Sequence, residues 1–143
     1  MESASQGEPT ASVVGGFAPL LPDGDYMASV INAEVCVMFA KAWKLVLTFK
    51  IADGQHTGTK LHRYYNVKPG GRGKNGFKVG RHSQYLRDYI TLFGMPTRAD
   101  RMSLSVWRQH VFTITTRTVK TDSSGRKLPP ALHYSKVSEV KLR

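Results

Sequence analysis

At 143 residues, 41% of them hydrophobic, the chain has material for one domain around one modest core. Its net charge of +11 is segregated: all 21 Lys and Arg lie at or beyond Lys41, whereas Glu2, Glu8, Asp23, Asp25 and Glu34 precede it. One cysteine, Cys36, excludes a disulfide-stapled fold, and no stretch reaches the ~20 apolar residues that a membrane span needs. A cationic body of this kind implies a polyanionic partner met through a salt-sensitive field. The first residues lack the cationic start of a signal peptide, so the simplest expectation is a cytoplasmic protein with no membrane partner.

Residues 1–22 are rich in Ser, Ala, Gly and Pro and read as a flexible leader to a domain over 23–143. Leu21-Pro22-Asp23-Gly24 is turn chemistry. Asp25 to Met38 then reads as a first strand, with Tyr26, Ala28, Val30 and Ile31 inward, and Phe39-Ala40-Lys41 as a bend. From Ala42 the alternation is strict: Trp43, Leu45, Leu47, Phe49 and Ile51 interleave with Lys44, Val46, Thr48 and Lys50. Successive side chains of a strand point to opposite faces, so this is a strand with one buried side. Asp53-Gly54 suits a hairpin turn. The returning strand carries Leu61, Arg63, Tyr65 and Val67 on one face and Lys60, His62, Tyr64, Asn66 and Lys68 on the other. One side of this hairpin is apolar, and the other mixes ammonium groups with an imidazole, a phenol and an amide.

Residues 68–81 form a long Gly-rich loop with Arg72, Lys74, Lys78 and Arg81 and no acid. His82 to Phe93 reads as the helix, with Ser83 as N-cap, a stripe of Tyr85, Leu86, Tyr89, Ile90 and Phe93, and Gly94 and Pro96 at its end. Thr97 to Ser103 suits a short second turn. Val106 to Lys120 reads as a long strand starting at a core Trp107, with Phe112 and Ile114 inward, and Leu132 to Leu142 as the last strand. Between them, Thr121 to Lys127 makes a hairpin tip.

The order strand, strand, strand, helix, strand, strand predicts a mostly-β protein. It fits a five-stranded antiparallel oligonucleotide-binding (OB) fold barrel with one α-helix between the third and fourth strands. That fold binds along its second and third strands, flanked by the first-to-second and fourth-to-fifth loops.

Leu21-Pro22-Asp23-Gly24-Asp25-Tyr26, Ala28, Val30 and Glu34, followed by Leu47-Thr48-Phe49-Lys50-Ile51, Gly54, Gly58 and Leu61, resemble the small single-stranded DNA-binding proteins of phages and plasmids. The family pattern runs "LP-x-G-x-Y-x-A-x-[IV]", "[LF]-x-F-x-[IL]-x-x-G" and "G-x-x-L", and the likeness spans roughly residues 21 to 95. It implies an OB fold that coats single strands during replication or recombination. The insert from Pro69 to Gly80 departs from that pattern.

Tyr64, mid-strand on the polar face, is the first candidate for base stacking, and a bulge that shifted strand parity would put Tyr65 there instead. Lys44, Lys50, Lys60, Lys68, Arg117 and Lys120 are candidates for the phosphate backbone, as are Arg126 and Lys127 at the tip. His62 and Asn66 suit hydrogen bonds to bases or sugars. Trp43 has core parity but sits at the hairpin mouth, where it can cap the core or stack. In the loop, Arg72, Lys74, Lys78 and Arg81 could close over a strand, with Phe77 stacking. Gly71-Arg72-Gly73-Lys74-Asn75-Gly76 matches the dinucleotide glycine pattern but lacks the parallel βαβ setting, so no cofactor is expected.

Nor is catalysis or a bound metal expected. After Lys41 the acids are Asp53, Asp88, Asp100, Asp122 and Glu139, scattered, and His56, His62, His82, His110 and His133 have no metal-ligand spacing. The expected partner is single-stranded DNA, with RNA left open because only 2′-OH contacts separate the two. The alternative is an adaptor or inhibitor whose basic face docks an acidic protein. Exposed strand edges leave room for a homo-oligomer.

Overall fold

The computed structural model describes residues 19–38, 42–70, 76–96, 104–122 and 124–143. Five strands, β1 (Gly24–Met38), β2 (Ala42–Ile51), β3 (Lys60–Asn66), β4 (Val111–Val119) and β5 (Tyr134–Leu142), form one antiparallel sheet in the order β3-β2-β1-β4-β5. The helix α1 (Gln84–Phe93) lies between β3 and β4 in the chain. This is the expected mostly-β, OB-like arrangement.

Strand β1 is long because it serves two partners. Gly24 to Ser29 pair with β4, and Ala28 to Met38 pair with β2. The register with β2 slips between Val30 and Asn32, so Ile31 points to solvent, contrary to the inward assignment. A bulge adds one residue and reverses every later side chain, which alternation alone cannot reveal. The β2–β3 ladder has no slip. Residues 52–59 connect these strands by a loop wider than a tight turn, with Gly54 and Gly58 at φ 84° and 92°.

The core collects Phe49, Phe112, Leu45, Leu47, Ile51, Leu61 and Ile114 from the strands, with Tyr85 from α1. Ser83 caps α1 as expected, its hydroxyl oxygen accepting from the Tyr85 and Leu86 amides. The helix itself begins at Gln84. The segment assigned to the start of the fourth strand is instead a 3₁₀ turn, Leu104–Gln109. Trp107 is fully buried there, and its indole N–H donates to the Tyr85 hydroxyl at 2.9 Å. Arg108 and Gln109 complete that 3₁₀ turn, so β4 starts only at Val111. The expected turn over Thr97 to Ser103 and the bend at Phe39 to Lys41 lie outside the described residues. Pro130–Leu132 is a short 3₁₀ turn, which delays the last strand to Tyr134.

Of the residues assigned to the leader, 19–22 belong to the body. Leu21 is buried, its amide bonded to the Ser135 hydroxyl, while the Ser135 amide donates to the Pro19 carbonyl. At the far side, the edge strands β3 and β5 meet. The link described there is a side chain: Arg63 Nη1 donates to the Val137 carbonyl at 2.7 Å.

Candidate nucleic-acid interface

Because residues directly opposite in an antiparallel ladder share a face, the registers of β1, β2 and β3 can be read across as rows. The outward rows are Ser29–Lys50–Lys60, Asn32–Thr48–His62, Glu34–Val46–Tyr64 and Cys36–Lys44–Asn66. Adjacent rows are about 6.6 Å apart along the strands. Lys50, Lys60, Tyr64 and Asn66 are exposed. Tyr64 retains 40% of its accessible surface on the same wall as the cations. Val46, although outward, is only 6% exposed, covered within a row whose flanking side chains are Glu34 and Tyr64.

The wall is electrically mixed. Lys44 Nζ donates to Asn66 Oδ1, which fixes both side chains at one end. Burial pushes the Tyr64 phenol up to about 12, with Cys36 and Tyr134 adding to the rise, so the ring is uncharged at neutral pH. Burial and the neighbouring Glu34 likewise push the Cys36 thiol up. His62 Nδ1 shares a hydrogen bond with the Thr48 hydroxyl at 3.0 Å, and its ring lies 6.1 Å from that of Tyr64.

Burial holds His62 below its ordinary value of 6.5, with Glu34 opposing and Lys60 reinforcing. The unfolded chain therefore takes up this proton at higher pH than the folded one. Stability from His62 is present above pH 6.5 and is lost as pH falls through the folded value. A pH series of melting temperatures should show that loss, and His62→Gln should remove its share.

The other candidates separate. Arg117 stands opposite Lys136 on β4–β5, and Lys120 follows the end of β4, so neither belongs to the β1–β2–β3 rows, although β5 itself meets β3. Lys68 is bridged to Lys78 through reciprocal backbone bonds of 2.8 and 2.9 Å, and both side chains are exposed. Arg81 is exposed just before α1. Arg126 and Lys127 are exposed at the tip, whose backbone is held by Asp122 Oδ1 accepting from the Ser124 and Arg126 amides. The Ser124 hydroxyl, which donates to the same oxygen at 2.8 Å, and then the Arg126 amide hold the Asp122 carboxyl below its usual range. Arg72 and Lys74 lie outside the described residues.

One aromatic assignment is corrected, and one that was open is decided. Phe77 is 7% exposed, with its ring 5.5 Å from that of Tyr85, so it anchors the loop to the core and offers no stacking face. Trp43 packs against the core rather than joining the outward rows.

Three outward residues went unrecognised as site candidates. Tyr134 and Lys136 are exposed and alternate with buried Ser135 and Val137, a period-2 signal present in the sequence. Glu34 lies beyond the bulge, where parity cannot be read without the register. No group of three or more metal-ligating side chains occurs among the described residues, and no helix among them is long and apolar enough to cross a membrane. Comparison with protein-family models, with curated proteins and with solved structures finds no match to this chain.

Proposed function

We propose that the protein binds single-stranded DNA along the outward face of β2 and β3, phosphates on Lys44, Lys50 and Lys60 and a base on Tyr64. The observation that carries this reading is the unslipped β2–β3 ladder, which keeps Lys44, Lys50, Lys60, His62, Tyr64 and Asn66 on one side. Cations beside an uncharged ring suit a flexible strand whose bases are unstacked, whereas a duplex hides its base faces. The resemblance to phage and plasmid single-stranded DNA-binding proteins favours a role in replication or recombination of a mobile element, acting in the cytoplasm and with little dependence on sequence.

A gel-shift series with single-stranded DNA, duplex and RNA tests the reading, with preference for the single DNA strand expected. Tyr64→Ala should weaken binding by ~1–3 kcal/mol, the range for base–aromatic stacking, while leaving the melting temperature nearly unchanged. Tighter binding to duplex would overturn the proposal. Failure to bind any nucleic acid would shift the same basic face to an acidic protein partner.

A further inference from the structure

An acid stands inside the basic wall. Glu34 is directly opposite Val46, and Val46 is directly opposite Tyr64, so carboxylate and phenol flank one row. With strands 4.7–4.9 Å apart, their backbones are separated by about 9.6 Å. The Glu34 side chain is exposed, and its charge is felt by His62 in one neighbouring row and by Cys36 in the other. It therefore belongs to the wall and not to its margin. Lys44 lies in the row on one side, and Lys50 and Lys60 lie two rows away on the other.

A phosphate passing over this row would be repelled, so among the parts of a nucleic-acid strand the one that fits beside Glu34 is an uncharged hydrogen-bond donor on a base. A base laid on Tyr64 and reaching across Val46 brings its polar edge toward β1. An ionised carboxylate only accepts. Cytosine offers it the N4 amino group, whereas thymine places the O4 acceptor at the same position. Resting on the nucleic-acid reading above, we propose that Glu34 is a specificity residue that makes the Tyr64 position prefer cytosine to thymine. The contrast is one of hydrogen-bond polarity, since the two pyrimidines present rings of similar size to Tyr64. It superimposes a local base preference on binding that is otherwise indifferent to sequence.

The test is fluorescence anisotropy with labelled oligo-dC and oligo-dT of equal length, at neutral pH, with wild type and Glu34→Gln. Wild type should bind oligo-dC about fivefold more tightly, the lower end expected for a carboxylate reading a base edge at an exposed site. Glu34→Gln, whose amide can also donate to a thymine carbonyl, should bring the ratio close to one, chiefly by tightening oligo-dT. Equal wild-type affinities would overturn the proposal. So would a Glu34→Gln variant that tightens both oligonucleotides by the same factor, because the acid would then act only by repelling phosphate. If wild type binds neither oligonucleotide, the nucleic-acid reading itself falls, an outcome distinct from binding without discrimination.

Discussion

Replacing Asp88 with alanine should cost about 3 kcal/mol of unfolding free energy, far more than a helix-surface acid normally contributes. Arg63 lies on the inward face of β3, where a cation needs a partner. Its Nη2 donates to Asp88 Oδ2 at 2.8 Å, its Nε to the Tyr65 hydroxyl at 2.7 Å, and its Nη1 to the Val137 carbonyl at 2.7 Å. The Tyr65 hydroxyl donates to the same Asp88 oxygen at 2.6 Å, and Gln84 donates to the other at 2.7 Å. The two charged side chains are 12% and 17% exposed, so water replaces little of what is lost. Removing the carboxylate leaves a nearly buried guanidinium without its counter-charge and strips the Tyr65 hydroxyl of its acceptor, the situation in which a broken pair costs most. Urea unfolding of three variants separates this account from simple loss of contacts. Asp88→Ala should be the least stable, and Asp88→Asn intermediate. The double variant Arg63→Met/Asp88→Ala should recover part of the loss, since no orphan charge remains. A loss below about 1 kcal/mol for Asp88→Ala would mean that Arg63 is satisfied without it. Because this cluster joins β3 to α1 and to β5, it also fixes the edge of the wall that carries Tyr64.

The same cluster marks where sequence reading stops. The alternation in residues 60–68 is legible because the β2–β3 ladder is unslipped, and it places Tyr64 outward and Tyr65 inward correctly. Arg63 falls on the apolar face by that count, and the count cannot say why, since its partner Asp88 lies on a helix that looks solvent-facing in sequence. Ile31 and Glu34 are lost to a bulge, a decision made by two strands together. Phe77, among glycines and cations, has the composition of an exposed loop; only the proximity of Tyr85 in three dimensions draws it inside. Trp107 reads correctly as core but on the wrong element, because its burial comes through a tight turn and a bond to the Tyr85 hydroxyl. Local periodicity therefore carries the strands and most of the wall. The side-chain links between distant elements are invisible to it.

Raising the salt concentration tenfold should weaken binding to oligo-dT by roughly a thousandfold. Each phosphate neutralised on a single strand contributes a slope of about −0.7 in log affinity against log salt, and about 4 to 5 contacts give a fall of about 3 units. On the proposed single-stranded DNA reading, the registers pick out the cations expected to supply those contacts. Lys44, Lys50 and Lys60 share the wall with Tyr64, and Lys68 and Lys78 stand exposed just beyond β3. Arg117, although as exposed as these, faces outward from β4–β5. Substituting Lys50 or Lys60 by Ala should therefore flatten the slope by about 0.7 each, while Arg117→Ala should leave it nearly unchanged. The comparison matters because every one of these substitutions removes the same unit of net charge. If the protein attracted DNA only through its overall field, all three would act alike, and the wall built by β2 and β3 would have no special standing. Unequal slopes would tie the strand to that wall, because counterions are released only where phosphate and cation meet.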